Sequence, residues 1–228
     1  MVKMVHDPYW DLVDAPEQPP FSPKRTALLI IDLQYLDAHP DGWMGRLARD
    51  QGRPDHLKER FDFIQEILPN VQQLQAGCRA VGVEVIHIRI AFRSFSTRDG
   101  KPKLLDKLNQ TPLIPRDYDI LDEIAPVGDE IIIDKTSVSA FNSTPLDQIL
   151  RNMGVDTLWV TGIVTEGCVE LTARDAADKG YHVTLVTDAV ASSTHAATAE
   201  AIPRITDGDV IKARTSAELI AQMSPIPA

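Results

Sequence analysis

The chain has 228 residues, enough for one sizeable α/β domain and too few for two comfortable ones. A formal net charge of −10 disfavours nucleic acid and anionic membrane as partners, though a buried pocket can still be locally basic. Two cysteines, Cys78 and Cys168, cannot make a disulfide scaffold, and no run approaches the roughly 18 apolar residues of a membrane span, so a cytoplasmic, reducing compartment is expected.

Residues 1–24 read as an acidic, Pro-rich arm ahead of a single domain over 25–228. Thr26-Ala27-Leu28-Leu29-Ile30-Ile31 is a continuous apolar run ending at Asp32, the signature of a strand buried on both faces of a parallel sheet. Residues 35–54 read as a polar loop with a helical piece. Leu57 to Ala80 has helical spacing, with Phe61, Ile64, Leu68, Val71 and Leu74 on one face, Pro69 as a candidate kink, and Gly77 and Gly82 as stops. Val83 to Ile90 is a second strand. Residues 91–126 are mixed and Pro-containing, expected to form loops, short helices and much of an active-site lid. Glu130 to Asp134 is a third strand. Thr144 to Met153 is a helix with Thr144 as cap and Pro145 in its first turn. Strands over 157–162 and 182–187, helices over 169–179, 194–205 and 216–223, and a sixth strand near 210–213 complete the series. Alternating strands and helices predict a mainly parallel sheet covered on both sides.

Sites in such sheets lie at the carboxyl ends of the strands. Asp32 follows the first strand, Lys135 the third, and Cys168 the fourth, so three reactive groups far apart in sequence are expected on one rim. A cysteine at a helix start beside a lysine should have its thiol pKa lowered, and an aspartate in reach could take the proton and return it to a leaving amine. Each residue alone has an ordinary reading: a buried small cysteine, a turn-capping aspartate, a solvated lysine.

The motifs Ala27-Leu28-Leu29-Ile30-Ile31-Asp32-Leu33-Gln34, Ile133-Asp134-Lys135 followed by Ser139-Ala140-Phe141 and Thr144, and Gly162-Ile163-Val164-Thr165-Glu166-Gly167-Cys168-Val169 resemble those of the isochorismatase-like cysteine hydrolases. Thr172-Ala173-Arg174-Asp175-Ala176, Gly180-Tyr181 and Thr187-Asp188-Ala189 extend the likeness, which runs from about Lys24 to about Ala217. The family includes nicotinamidases, N-carbamoylsarcosine amidases, biuret hydrolases and ureidoacrylate hydrolases. The resemblance implies a three-layer α/β/α, Rossmann-like fold on a six-stranded parallel sheet. It implies Cys168 as nucleophile, Asp32 as general base and acid, Lys135 as supporting cation, and a cis peptide at Ile163-Val164. That peptide would aim the backbone N–H of Val164, with that of Cys168, at an oxyanion. It further implies hydrolysis of a small carbamoyl, ureido or carboxamide compound through a thioester, and a homodimer or homotetramer.

Gln34, Arg89, Arg93 and Phe141 are the candidate substrate contacts, each with a structural alternative: a loop tie, ordinary ion pairs, plain core. Trp43 is a further aromatic near the site, and Glu166 an exposed neighbour of the nucleophile. Asp37 and His39 have the Asp-x-His spacing of the nicotinamidase metal site, but His56 and His87 lie where no third ligand is evident, so no metal is expected. No Walker or Gly-x-Gly-x-x-Gly loop is present, so no nucleotide cofactor is expected. A hydrolase of a different bond and a catalytically silent binding protein are the competing readings.

Overall fold

In the first strand, β1 (Thr26–Ile31), every residue is buried, which requires cover on both faces. A computed structural model describes residues 7–12, 17–94, 97–100 and 107–223 and supplies that cover. Ala27, Leu29 and Ile31 enter one hydrophobic cluster, and Leu28 and Ile30 enter another on the opposite face. This alternation is the period-2 geometry of a strand in a three-layer fold.

After β1 come a one-turn helix α1 (Tyr35–Ala38), α2 (Trp43–Asp50), the long α3 (Lys58–Val81) and β2 (Glu84–Ile90). Then follow β3 (Ile131–Lys135), α4 (Leu146–Asn152), β4 (Thr157–Ile163), α5 (Glu170–Asp178), β5 (His182–Ala191), α6 (His195–Thr206), β6 (Ile211–Arg214) and α7 (Ser216–Met223). The six strands form one sheet in the order β3-β2-β1-β4-β5-β6, and each neighbouring pair is parallel. The first cluster takes Leu146 and Leu150 of α4, Ala173 and Ala176 of α5, and Ala201 and Ile205 of α6. The second takes Ile64, Leu68, Val71 and Leu74 of α3 with Leu219 and Met223 of α7. Strand order reverses between β1 and β4, so the crevice for a ligand opens at the carboxyl ends of these two strands.

Several local expectations change. Pro69 does not divide α3, which runs unbroken from Lys58 to Val81. Gly77 is no stop but a contact point: a Cβ there would lie 3.2 Å from the Met223 sulfur, so its bareness lets α7 approach. The true stop is Gly82, left-handed at φ +79°. Strand β5 continues four residues beyond the expected Thr187, through a register shift opposite Val160 and Gly162. Asp188 in this stretch caps α7, accepting from Ser216 N (2.7 Å) and Ser216 Oγ (2.8 Å). The described part of the arm packs on the chain itself: Phe21 stacks on Trp159 at 5.5 Å. Residues 1–6 and 13–16 of the arm lie outside the described residues, as do 95–96 and 101–106 of the expected lid.

On the first face, α5 and α6 are tied by Glu170. Its carboxylate receives Arg204 at 2.5 Å and Arg174 at 3.0 Å. Burial would raise the Glu170 pKa, but the two guanidiniums outweigh it and hold the carboxyl below its ordinary value of 4.5. A carboxyl depressed in the folded state contributes stability that is complete above its unfolded pKa and is lost as pH falls through the folded one. Wild-type protein is therefore expected to lose more stability than Glu170→Gln between about pH 7 and about pH 3. Urea denaturation of both proteins at each pH measures this; equal losses would contradict it.

Candidate active site

Three strand ends build the site. Asp32 directly follows β1 and adopts left-handed backbone at φ +56°, a conformation aspartate tolerates better than most residues. Its N–H donates to Ile88 O at 2.8 Å, which holds the turn against β2. Gly162, at φ +110° near the end of β4, allows close approach on the other side: a Cβ there would lie 2.0 Å from Ile31 O. The switch-point crevice is thus closed tightly around Asp32. The Ile163–Val164 peptide beyond Gly162 is cis.

Lys135 ends β3, two strands away, where it pairs with Ile90 of β2. Its long side chain closes the gap. The Nζ atom lies 2.8 Å from Asp32 Oδ2 and 3.3 Å from Cys168 Sγ, and it donates to Ser137 O at 3.1 Å. Lys135 and Asp32 are 0% and 1% exposed, and Cys168 is only partly accessible. Beyond the Lys135 ion pair, the Asp32 oxygens find no hydrogen-bond partner among the described residues.

The electrostatics reverse one expectation. Cys168 does not sit at the first turn of an α-helix but within a π-helical turn, Thr165–Val169, that precedes α5. Its thiol is pushed up to about 12 rather than down, first by burial and then by the Asp32 charge, with Lys135 opposing. Asp32 is raised as well, by burial against the pull of Lys135. Burial alone would lower Lys135, yet Asp32 and Cys168 keep it above the ordinary lysine range. Burial disfavours a negative charge on either acid, and Lys135 favours it on both, so the pocket resists two anions at once.

The other expected contacts are mostly occupied elsewhere. Gln34 is buried, and its amide donates to Ile90 O (3.0 Å) and Asp117 O (3.1 Å) while accepting from Ile90 N (2.5 Å). It ties the loop after β1 to β2 rather than facing a ligand. Arg89 donates to Asp134 at 2.6 Å across the strand pair and to Tyr118 O at 2.6 Å. Arg93 donates to Ser143 O at 3.2 Å. Phe141 packs in the first core cluster, its ring 5.9 Å from that of Tyr181. Trp43 is buried with Leu36 and Leu108 and donates to Thr111 O at 2.6 Å. Glu166 is hydrogen-bonded by the Ser192 hydroxyl.

Asp37 is taken by Arg60, whose guanidinium meets it at 3.1 Å; burial still raises its carboxyl to about 6. His39 accepts from Asp41 N at 3.0 Å, and His87 lies in β2 beside Gln75 and Glu130. Among the described residues no group of three or more His, Cys, Asp or Glu is arranged to hold a metal ion.

Two residues to which the sequence alone assigns no separate role shape the site. Gly162 is one. Asp117 is the other: fully buried, it takes a two-pronged ion pair from Arg46 (2.9 and 2.8 Å) and accepts from Ile114 N (2.8 Å), fixing the 114–121 segment over the β1 end. Pro115 two residues earlier, a turn-starting residue, is the signal that could have pointed to it. Over Lys135 and Cys168 opens a cavity of about 140 Å³, walled by Ile90, Phe92, Thr136, Ser137 and Val138.

A family model described as the isochorismatase domain matches residues 26–215. The chain is 28% identical over 198 residues to the ureidoacrylate amidohydrolase RutB of Serratia proteamaculans (strain 568), covering 80% of this chain and 74% of that one. A cysteine hydrolase from Pseudomonas syringae pv. phaseolicola 1448A superposes with TM-score 0.74 at 25% identity over 98% of both chains. The N-carbamoylsarcosine amidase from Thermoplasma acidophilum shares the fold, with TM-score 0.62 at 21% identity over 84% of this chain and 96% of that one.

Removing Lys135 should leave Asp32 buried without its counter-charge. Lys135→Met is expected to destabilise the protein by roughly 3–5 kcal/mol at neutral pH. In that variant the folded pKa of Asp32 rises further above its unfolded value, so the folded state binds more protons and stability increases as pH falls between the two. Denaturation at about pH 7 and about pH 5 should show partial recovery at the lower pH; a variant as stable as wild type at both would contradict the reading.

Proposed function

From the premise that this chain belongs to the isochorismatase-domain family, we propose that it is a cysteine-dependent amidohydrolase cleaving a C–N bond through a thioester. The observation that carries this is the contact of Lys135 Nζ with both Asp32 (2.8 Å) and Cys168 (3.3 Å) at the switch point of the sheet. The named activities of the ureidoacrylate amidohydrolase and N-carbamoylsarcosine amidase relatives support the same class of bond.

In this reading Asp32 and Cys168 share one proton in the resting site, and that sharing decides the order of events. When a carbonyl carbon enters, Cys168 sulfur bonds to it as the thiol proton settles on Asp32, so the pocket never carries two anions. The carbonyl oxygen becomes an oxyanion, which we assign to the backbone N–H groups of Val164 and Cys168; one such donor is typically worth on the order of 100-fold in rate. Collapse breaks the C–N bond, and Asp32 gives its proton to the departing nitrogen, releasing ammonia or an amine. Water then adds to the thioester carbon with Asp32 taking its proton, the C–S bond breaks to release the carboxylic acid, and the proton on Asp32 is shared again with the freed Cys168 sulfur. Lys135 stays charged throughout and keeps the single anion in place. Both cysteines are free thiols, in keeping with a reducing, cytoplasmic setting, and we carry forward homo-oligomeric assembly from the family resemblance.

Cys168→Ala is expected to abolish ammonia release from a panel of amides and ureas while leaving the denaturation midpoint near that of wild type. Asp32→Asn is expected to fall by at least on the order of 100-fold in turnover, having no group to protonate the leaving nitrogen. Full activity in Cys168→Ala would refute the nucleophile assignment. Hydrolysis of matched esters with no cleavage of the amides or ureas would favour the alternative hydrolase.

A further inference from the structure

Lys135 is held by more than opposite charge. Its ammonium is ion-paired with Asp32 Oδ2 at 2.8 Å and donates to Cys168 Sγ at 3.3 Å and to Ser137 O at 3.1 Å. In the proposed mechanism the first two partners exchange a proton, so the pull of each on Lys135 changes as the reaction advances. The third partner is a backbone carbonyl. It does not titrate, and it accepts a hydrogen bond at every step. Ser137 O is thus the fixed point against which the lysine head is aimed.

A hydroxyl further along the same turn fixes Ser137 in place. Ser143 Oγ accepts from Thr136 N at 3.1 Å and from Ser137 N at 3.2 Å, clasping the backbone that leads into the Ser137 carbonyl. The Ser137 and Ser143 hydroxyls lie 2.7 Å apart, and Ser137 Oγ lies 2.5 Å from Ser139 O. A carbonyl only accepts, so the single hydroxyl proton of Ser137 goes to Ser139 O. The proton between the two hydroxyls must then come from Ser143. Ser143 Oγ therefore accepts two bonds and donates one, the full capacity of a hydroxyl. The backbone around it is anchored as well. Arg93, in the loop after β2, donates to Ser143 O at 3.2 Å, and Ala140 N donates to Thr172 Oγ1 of α5 at 3.1 Å.

We infer that Ser143 is a positioning residue for the hydrolysis: acting through Ser137, it holds the backbone carbonyl that aims the Lys135 ammonium at Asp32 and Cys168. The inference rests on the amidohydrolase reading for the reaction that Lys135 serves, but the aim of Lys135 can be read without turnover. Lys135 favours the Cys168 thiolate, and the thiolate is the form that is alkylated.

The test compares wild type with Ser143→Ala and with Ser143→Thr, which keeps a hydroxyl at the same place. The rate of Cys168 alkylation by iodoacetamide at about pH 7 is followed by intact mass; Cys78 is fully buried and stays out of the reading. Ser143→Ala is expected to react on the order of fivefold more slowly than wild type, the worth of one ordinary hydrogen bond, and Ser143→Thr to match wild type. Ser137→Ala keeps the carbonyl and loses one brace, so it is expected to slow alkylation by about threefold, and it decides the matter if Ser143→Ala does not fold. Ser143 does not line the cavity over Cys168, so in ammonia release Ser143→Ala should lose kcat with KM unchanged. A folded Ser143→Ala that alkylates as fast as wild type, a Ser143→Thr as slow as Ser143→Ala, or an unchanged rate in Ser137→Ala would overturn the inference. Absence of ammonia release by wild type from every amide and urea would defeat the amidohydrolase reading, while the alkylation ratios would still decide the role of Ser143.

Discussion

The ion pair between Asp32 and Lys135, sealed from water at the carboxyl ends of β1 and β3, is the constraint on which the rest of the site depends. Two opposite charges removed from water are stable only when their geometry is close and each is otherwise supported. Lys135 has that support from Ser137 O and the Cys168 sulfur; the Asp32 oxygens meet no hydrogen-bond partner beyond the Lys135 ion pair among the described residues. A carboxylate so poorly solvated gains from taking a proton, and in the proposed mechanism that proton comes from the Cys168 thiol. On the proposed mechanism, the pairing that would be a liability in an inert core becomes the means of moving a proton during attack and departure.

The fold earns its form from the need to bring these groups together. Lys135 stands two strands from Asp32, so only a long side chain laid over the end of β2 can reach it, and Ile90 opposite Lys135 helps wall the cavity this creates. Gly162 removes the Cβ that would push β4 away from β1. Gln34 and Asp117 pull the loops after β1 and before β3 down onto the same rim, each with its polar atoms satisfied by backbone or by Arg46. These are positioning contacts, and their cost is offset by the buried clusters on either face of the sheet.

Much of this was legible in the chain alone. The unbroken apolar run of β1 announced a strand covered on both sides, and the alternation of strands and helices announced a parallel sheet. Asp32, Lys135 and Cys168 followed from the rule that such sheets present reactive groups at their strand ends. What sequence could not reveal was where side chains spend their hydrogen bonds. Arg89 looked like a substrate fork until its guanidinium was found on Asp134 and Tyr118. Gln34 looked like a ligand contact until its amide was found pairing with Ile90. The thiol was expected to be acidic because a helix and a lysine are near in sequence and topology. Burial and the Asp32 charge, both tertiary effects, push it the other way. Local signals misled likewise at Gly77, whose role depends on Met223 more than a hundred positions later.

The shared proton can be tested directly through the pH profile of Cys168 alkylation by iodoacetamide, followed by intact mass in wild type and in Asp32→Asn. If one proton is divided between sulfur and carboxyl, the thiolate fraction in wild type is set by that division and not by bulk pH. The rate constant should then be flat across the neutral range, while in Asp32→Asn it should climb about tenfold per pH unit. A wild-type rate that climbs with the same slope as the variant would mean that Cys168 titrates alone with solvent, and the account of the site would be wrong.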